Sequence, residues 1–143
     1  MHSRKHRAEP QHAEAVQFFQ SAAVRLTHNY ILAEYVALAH ARGLPRQAVL
    51  SFVADLQDNT AVRVIYVSEA LHRAALTHLQ QRLDKDWSLC DAVSFLLMAQ
   101  HGMQDALSTD HHFDQAGFVR LTWFPVAFRC AIKMSAISLA PLG

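Results

Sequence analysis

Residues 24–43 read VRLTHNYILAEYVALAHARG: a short β-type run from Val24 to Thr27, then an almost wholly apolar set of helix formers from Asn29 to Arg42, closed by Gly43. β-branched residues favour a pleated backbone, and Gly43 stands where a left-handed carboxy-terminal cap belongs, so a strand is predicted to turn directly into a helix. Upstream, Val16, Phe19 and Ala23 recur at helical spacing over His12 to Ala23 and predict a helix leading into that strand. Downstream, Pro45 suits a helix first turn, and Val49, Phe52, Val53 and Leu56 lay down one apolar stripe before Asp58 and Asn59 end it.

The same alternation continues. Val62 to Val67 is dense in β-branched residues and predicts a second strand, and Ser68 can cap a helix carrying Leu71, Ala75, Leu79 and Leu83 on one face. Asp84 to Trp87 form a loop, Ser88 opens a helix ending at Gly102, Ala106 to Thr109 is a short strand, His111 to Ala116 about one helical turn, and Phe118 to Leu121 a last strand. Alternating strands and helices define an α/β fold, with a parallel sheet flanked by helices and a binding edge at the carboxyl ends of its strands. Ala127 to Leu139 is expected to form a further helix with an exposed apolar side.

Composition bounds the function. A chain of 143 residues, 52% apolar, suffices for one domain with one core, and a net charge of +1 supplies no overall basic field, so any contact with nucleic acid has to be local. Ten histidines scatter without the paired spacing of a zinc site, and most are expected at the surface. Adjacent His111 and His112 make a weak zinc pair, because neighbours on a helix point about 100° apart. Cys90 and Cys130 lie far apart behind no secretory signal, which favours a reduced, cytoplasmic setting. Pro125, Arg129 and Lys133 interrupt the apolar stretch from Trp123 to Gly143, which argues against a membrane span.

Three acids stand out. Glu34 is the sole charged residue between Tyr30 and His40, at the edge of a helix face that favours burial; it either reaches solvent or an arginine, or ligates a metal. Asp91 completes a capping-box spacing with Ser88, and Asp110 directly follows a predicted strand, where it or Thr109 can cap the short helix behind it. Taken together, Thr27, Asn29, Glu34 and Asp110 follow the carboxyl ends of predicted strands. Carboxylates gathered there repel one another and call for a hard divalent cation such as Mg²⁺ or Mn²⁺, whose chemistry suits phosphodiester hydrolysis.

Three linked stretches carry a family resemblance: Thr27-His-Asn29-Tyr30-Ile-Leu-Ala-Glu34, Asp86-Trp-Ser88-Leu89-Cys-Asp91-Ala92-Val-Ser94-Phe95, and Ala106-Leu-Ser-Thr109-Asp110-His-His112-Phe113-Asp-Gln-Ala-Gly117-Phe118. In order and separation they resemble PIN domains, specifically VapC-type toxin ribonucleases of type II toxin-antitoxin systems, over about Arg7 to Leu121. The resemblance implies a Mg²⁺- or Mn²⁺-dependent endoribonuclease with Glu34, Asp91 and Asp110 as catalytic metal-site acids and Thr27, Asn29, Ser88 and Thr109 orienting ligands or substrate. It also implies an RNA substrate, a cognate antitoxin protein that inserts a segment into the acidic groove, and a homodimer, with no role for a membrane.

The sequence departs from that pattern at both ends. Family members begin with a strand ending in Asp-x-Ser or Asp-x-Thr, near the middle of the sheet; no such motif occurs ahead of Glu34 here, where Glu9 and Glu14 are the only acids. The expectation is a PIN-like unit over residues 1–122 lacking its first strand, with that strand's neighbours left unpaired, and residues 123–143 as an extension outside the family pattern. The alternative function is a catalytically inactive remnant acting only through protein binding.

Overall fold

The computed structural model describes residues 24–107, 112–121 and 137–140. Within them the chain runs β1 (Val24–His28), α1 (Asn29–Ala41), α2 (Arg46–Asp58), β2 (Arg63–Ile65), α3 (Glu69–Gln80), α4 (Leu89–Gln100), β3 (Asp105–Leu107), α5 (His112–Gln115), β4 (Val119–Leu121) and β5 (Ile137–Ala140). The expected helix over His12 to Ala23 lies outside the described residues.

Local signals set most of these boundaries. Gly43 adopts φ +71°, with its N–H donating to the His40 carbonyl and the Leu44 N–H donating to the Ala39 carbonyl. This paired closure satisfies carbonyls that the end of α1 would otherwise leave open, and glycine meets its backbone demand without a steric penalty. Ser68 and Ser88 cap α3 and α4 through their side chains, as their positions predict. The second strand is shorter than expected, three residues rather than Val62 to Val67. Leu83 falls beyond the end of α3 and is 86% exposed, so it does not extend that helix's apolar face.

The sheet order is β2-β1-β5-β3-β4. β1 pairs with β2 in parallel and β3 with β4 in parallel, while β5 runs antiparallel to both β1 and β3. Strands β1 to β4 therefore share one direction, as the alternation predicts, and only β5 is reversed. This corrects two expectations: residues 137–139 belong to a strand rather than a helix, and the facing edges of β1 and β3 are not left unpaired. Ser138 aligns with Leu26 on one side and Ala106 on the other, so a carboxy-terminal segment completes the middle of the sheet. The physical reason is the one that made the gap improbable: open ladder groups on two facing edges have a strong free-energy incentive to find a strand.

The core forms between the sheet and α4. Leu26 and Ala106 of the sheet meet Trp87, Phe95, Met98 and Met103, all 7% exposed or less. A second cluster joins Ala75 of α3 to Ala92, Val93 and Leu97 of α4. Buried on nearly all sides, α4 is the central helix, which makes any charged residue on it conspicuous. Among the described residues no helix is long and apolar enough to cross a membrane.

Candidate active site

Because β1 to β4 run the same way, their carboxyl ends lie along one edge, and the turns that follow them collect the polar groups. β1 ends in Thr27 and His28, 3% and 2% exposed. His28 caps α1: its Nδ1 accepts the Ile31 N–H at 3.4 Å. That leaves the proton on Nε2, which donates to Ser94 Oγ at 2.7 Å, and Ser94 in turn donates to the Cys90 carbonyl at 3.1 Å. A continuous polar chain thus links the start of α1 to the interior of α4. Burial holds the imidazole neutral, lowering its pKa from 6.5 to about 3. His28 is the one buried histidine among the described residues, an exception to the expectation that most lie at the surface, and its hydrogen bonds stabilise the neutral ring there.

Asn29 follows, and its Oδ1 accepts the Val67 N–H at 2.8 Å, tying the turn after β1 to the turn after β2. Glu34 lies farther along α1, half-buried, at the margin of the stripe formed by Ile31, Leu32, Tyr35 and Ala39. This is the position its sequence context predicts for a carboxylate on an apolar helix.

Ser88 and Asp91 form a complete capping box at the start of α4. Asp91 N–H donates to Ser88 Oγ and Ser88 N–H donates to Asp91 Oδ2, both at 3.0 Å. A capping acid ordinarily sits at the surface, yet Asp91 is 4% exposed. Its Oδ2 takes a further bond from His112 Nδ1, at 2.8 Å. The carboxylate acts only as acceptor, so Nδ1 carries the proton. Asp91 and Ser94 are three apart on α4 and share a face, which brings the fixed carboxylate and the His28 chain onto the same side of that helix.

The short helix α5, which supplies His112, has a second tie: Trp87 Nε1 donates to Gln115 Oε1 at 3.1 Å. Trp87 itself stacks on His78, with ring centroids 5.7 Å apart, and meets Phe95 edge-on at 5.0 Å. The indole therefore braces the loop in front of Asp91.

Of the residues singled out from sequence, the structure places Thr27 and Asn29 together at the end of β1, Ser88 and Asp91 together at the start of α4, and Glu34 on α1, a helix in contact with α4. Thr109 and Asp110 lie outside the described residues, as do His111 and Cys130. Among the described residues no three His, Cys, Asp or Glu side chains are grouped as a metal site. Sequence reasoning missed His28, Ser94 and the bond from His112 to Asp91. The available signal was their place in the quoted motifs, His28 in the first, Ser94 in the second and His112 in the third.

A sheet whose parallel strands end in polar turn residues, beside a buried acid in the first turn of α4, belongs to the class of α/β proteins that bind ligands at that edge. No family model matches the sequence. The 23S rRNA-specific endonuclease VapC20 of Mycobacterium tuberculosis is 35% identical over 98 residues, 68% of this chain and 73% of VapC20, with the same figures for strains CDC 1551 / Oshkosh and ATCC 25618 / H37Rv. The crystal structure of M. tuberculosis VapC20, described as a sarcin-ricin loop cleaving toxin, matches with a TM-score of 0.59 at 33% identity, covering 66% of this chain and 71% of that one. The chain belongs to the VapC family of PIN-domain toxin ribonucleases.

Proposed function

We propose that this protein is a divalent-metal-dependent endoribonuclease that cleaves RNA phosphodiester bonds, with structured ribosomal RNA of the kind cut by VapC20 as its substrate class. Membership in a family of RNA-cleaving toxins carries the reading, and the buried, doubly held carboxylate of Asp91 supports it. Glu34, Asp91 and Asp110 are the acids we assign to a Mg²⁺ or Mn²⁺ site, since hard carboxylate oxygens suit those ions. When bound, the cation would supply an activated water and neutralise charge on the phosphate. Thr27, Asn29, Ser88 and Thr109 are the residues we assign to orienting ligands or substrate.

The same reading includes a cognate antitoxin that covers the acidic groove, a homodimer and a cytoplasmic setting. It also divides the chain into a PIN-like unit over residues 1–122 and an extension over 123–143, of which residues 137–140 join the sheet.

One observation favours a second reading, a non-catalytic protein that acts through binding alone. β5, Ile-Ser-Leu-Ala at 137–140, takes a central place in the sheet and brings no carboxylate to it. Incubation of purified protein with 23S rRNA, with Mn²⁺ or with EDTA, separates the two. The nuclease reading expects cleavage with Mn²⁺ that EDTA and Asp91→Asn each abolish. Cleavage that persists equally in EDTA, or RNA left intact under every condition, would overturn it, and the latter result supports the binding protein.

A further inference from the structure

The capping box at the start of α4 is complete without help: Ser88 and Asp91 satisfy each other's backbone N–H groups. The bond from His112 is additional. It crosses 21 residues of sequence, arrives from a different element, and lands on the oxygen already engaged by Ser88. Both partners are withdrawn from water, with side chains 17% and 5% exposed, where a hydrogen bond to a carboxylate is strong and directional. α5 also has contacts away from Asp91: Gln115 accepts from Trp87, and Phe118, just beyond α5, stacks on Phe95 at 5.7 Å. The imidazole bond adds a constraint on the Asp91 carboxylate itself.

We propose that His112 is a positioning residue that orients Asp91 for cation binding through its Nδ1–H. This rests on the metal-site reading of Asp91. Donors that reach a ligating carboxylate from behind set its orientation, and their loss typically costs about 10- to 100-fold in metal affinity. In this reading His112, bonded to Asp91 Oδ2 at 2.8 Å, is such a donor and not a ligand.

The test is Mn²⁺ titration of the whole protein, read by electron paramagnetic resonance of the free ion, together with thermal melting and ¹⁵N NMR of the metal-free histidine side chains. His112→Ala is expected to weaken Mn²⁺ binding about 10- to 100-fold while the protein still melts cooperatively. His112→Asn, whose amide N–H can take the place of Nδ1–H, is expected to recover most of the affinity. Gln115→Ala cuts another tie of α5 without touching Asp91 and should leave affinity unchanged. In the metal-free protein, the His112 Nδ1–H signal should be present and should shift in Asp91→Asn.

Wild-type affinity in His112→Ala overturns the proposal. So does an equal loss in Gln115→Ala, which would reduce the effect to helix docking. If the wild type and Asp91→Asn bind Mn²⁺ equally, or neither binds, the metal-site reading itself is what fails, and the role of His112 falls with it.

Discussion

His28 makes the stability of this protein depend on pH in a way that can be worked out in advance. In the folded chain the buried ring stays neutral down to about pH 3, whereas in the unfolded chain it titrates at 6.5. Above pH 6.5 both states carry a neutral ring and the group contributes no slope. Between 6.5 and 3 only the unfolded state takes up a proton, so stability falls as pH falls. One pH unit corresponds to about 1.4 kcal/mol, so acidification from pH 7 to pH 5 costs about 2 kcal/mol through this residue alone. For a chain of this size that is about 6 °C in Tm, or a urea midpoint lower by about 1 M. The discriminating variant is His28→Asn, because asparagine is a good helix cap but does not titrate. It loses the bond to Ser94 and starts less stable at pH 7, yet its further loss between pH 7 and 5 should be smaller than wild type's by about 2 kcal/mol. Urea unfolding at pH 7, 6 and 5 measures both slopes. Equal slopes in wild type and variant would refute the claim that His28 is buried and neutral.

Two further outcomes test the packing around the site. Trp87→Ala removes the ring shared by His78, Phe95 and Gln115 and is expected to cost about 3–5 kcal/mol in chemical denaturation; a loss below about 1 kcal/mol would show that the loop before Asp91 does not depend on it. Ser138→Pro deletes a ladder N–H from a strand paired on both sides and should cost roughly 2 kcal/mol or more, with Ser138→Thr near wild type. A proline variant melting with wild type would exclude β5 from the middle of the sheet.

What the sequence alone determined are features written over a few neighbouring residues. The turn from β1 into α1, the glycine closure after Arg42, the serine caps of α3 and α4 and the capping box at Asp91 each depend on contacts within one helical turn, so local pattern and composition specify them. The three linked motifs added the family, because they preserve residue types at fixed separations. Glu34 was legible as a carboxylate at the margin of an apolar face for the same local reason.

Tertiary structure decided the rest. An isolated Ile-Ser-Leu-Ala preceded by apolar residues reads equally well as helix or strand, and only two open ladders flanking it select the strand. A histidine among ten has no mark of burial until Ser94, on a helix far along the chain, offers an acceptor for its second nitrogen. Asp91 looks like an ordinary surface cap until α4 is buried and His112 is brought against it. In each case the deciding energy is the cost of leaving a buried polar group without a partner, and the partner lies too far along the chain for any local pattern to supply it.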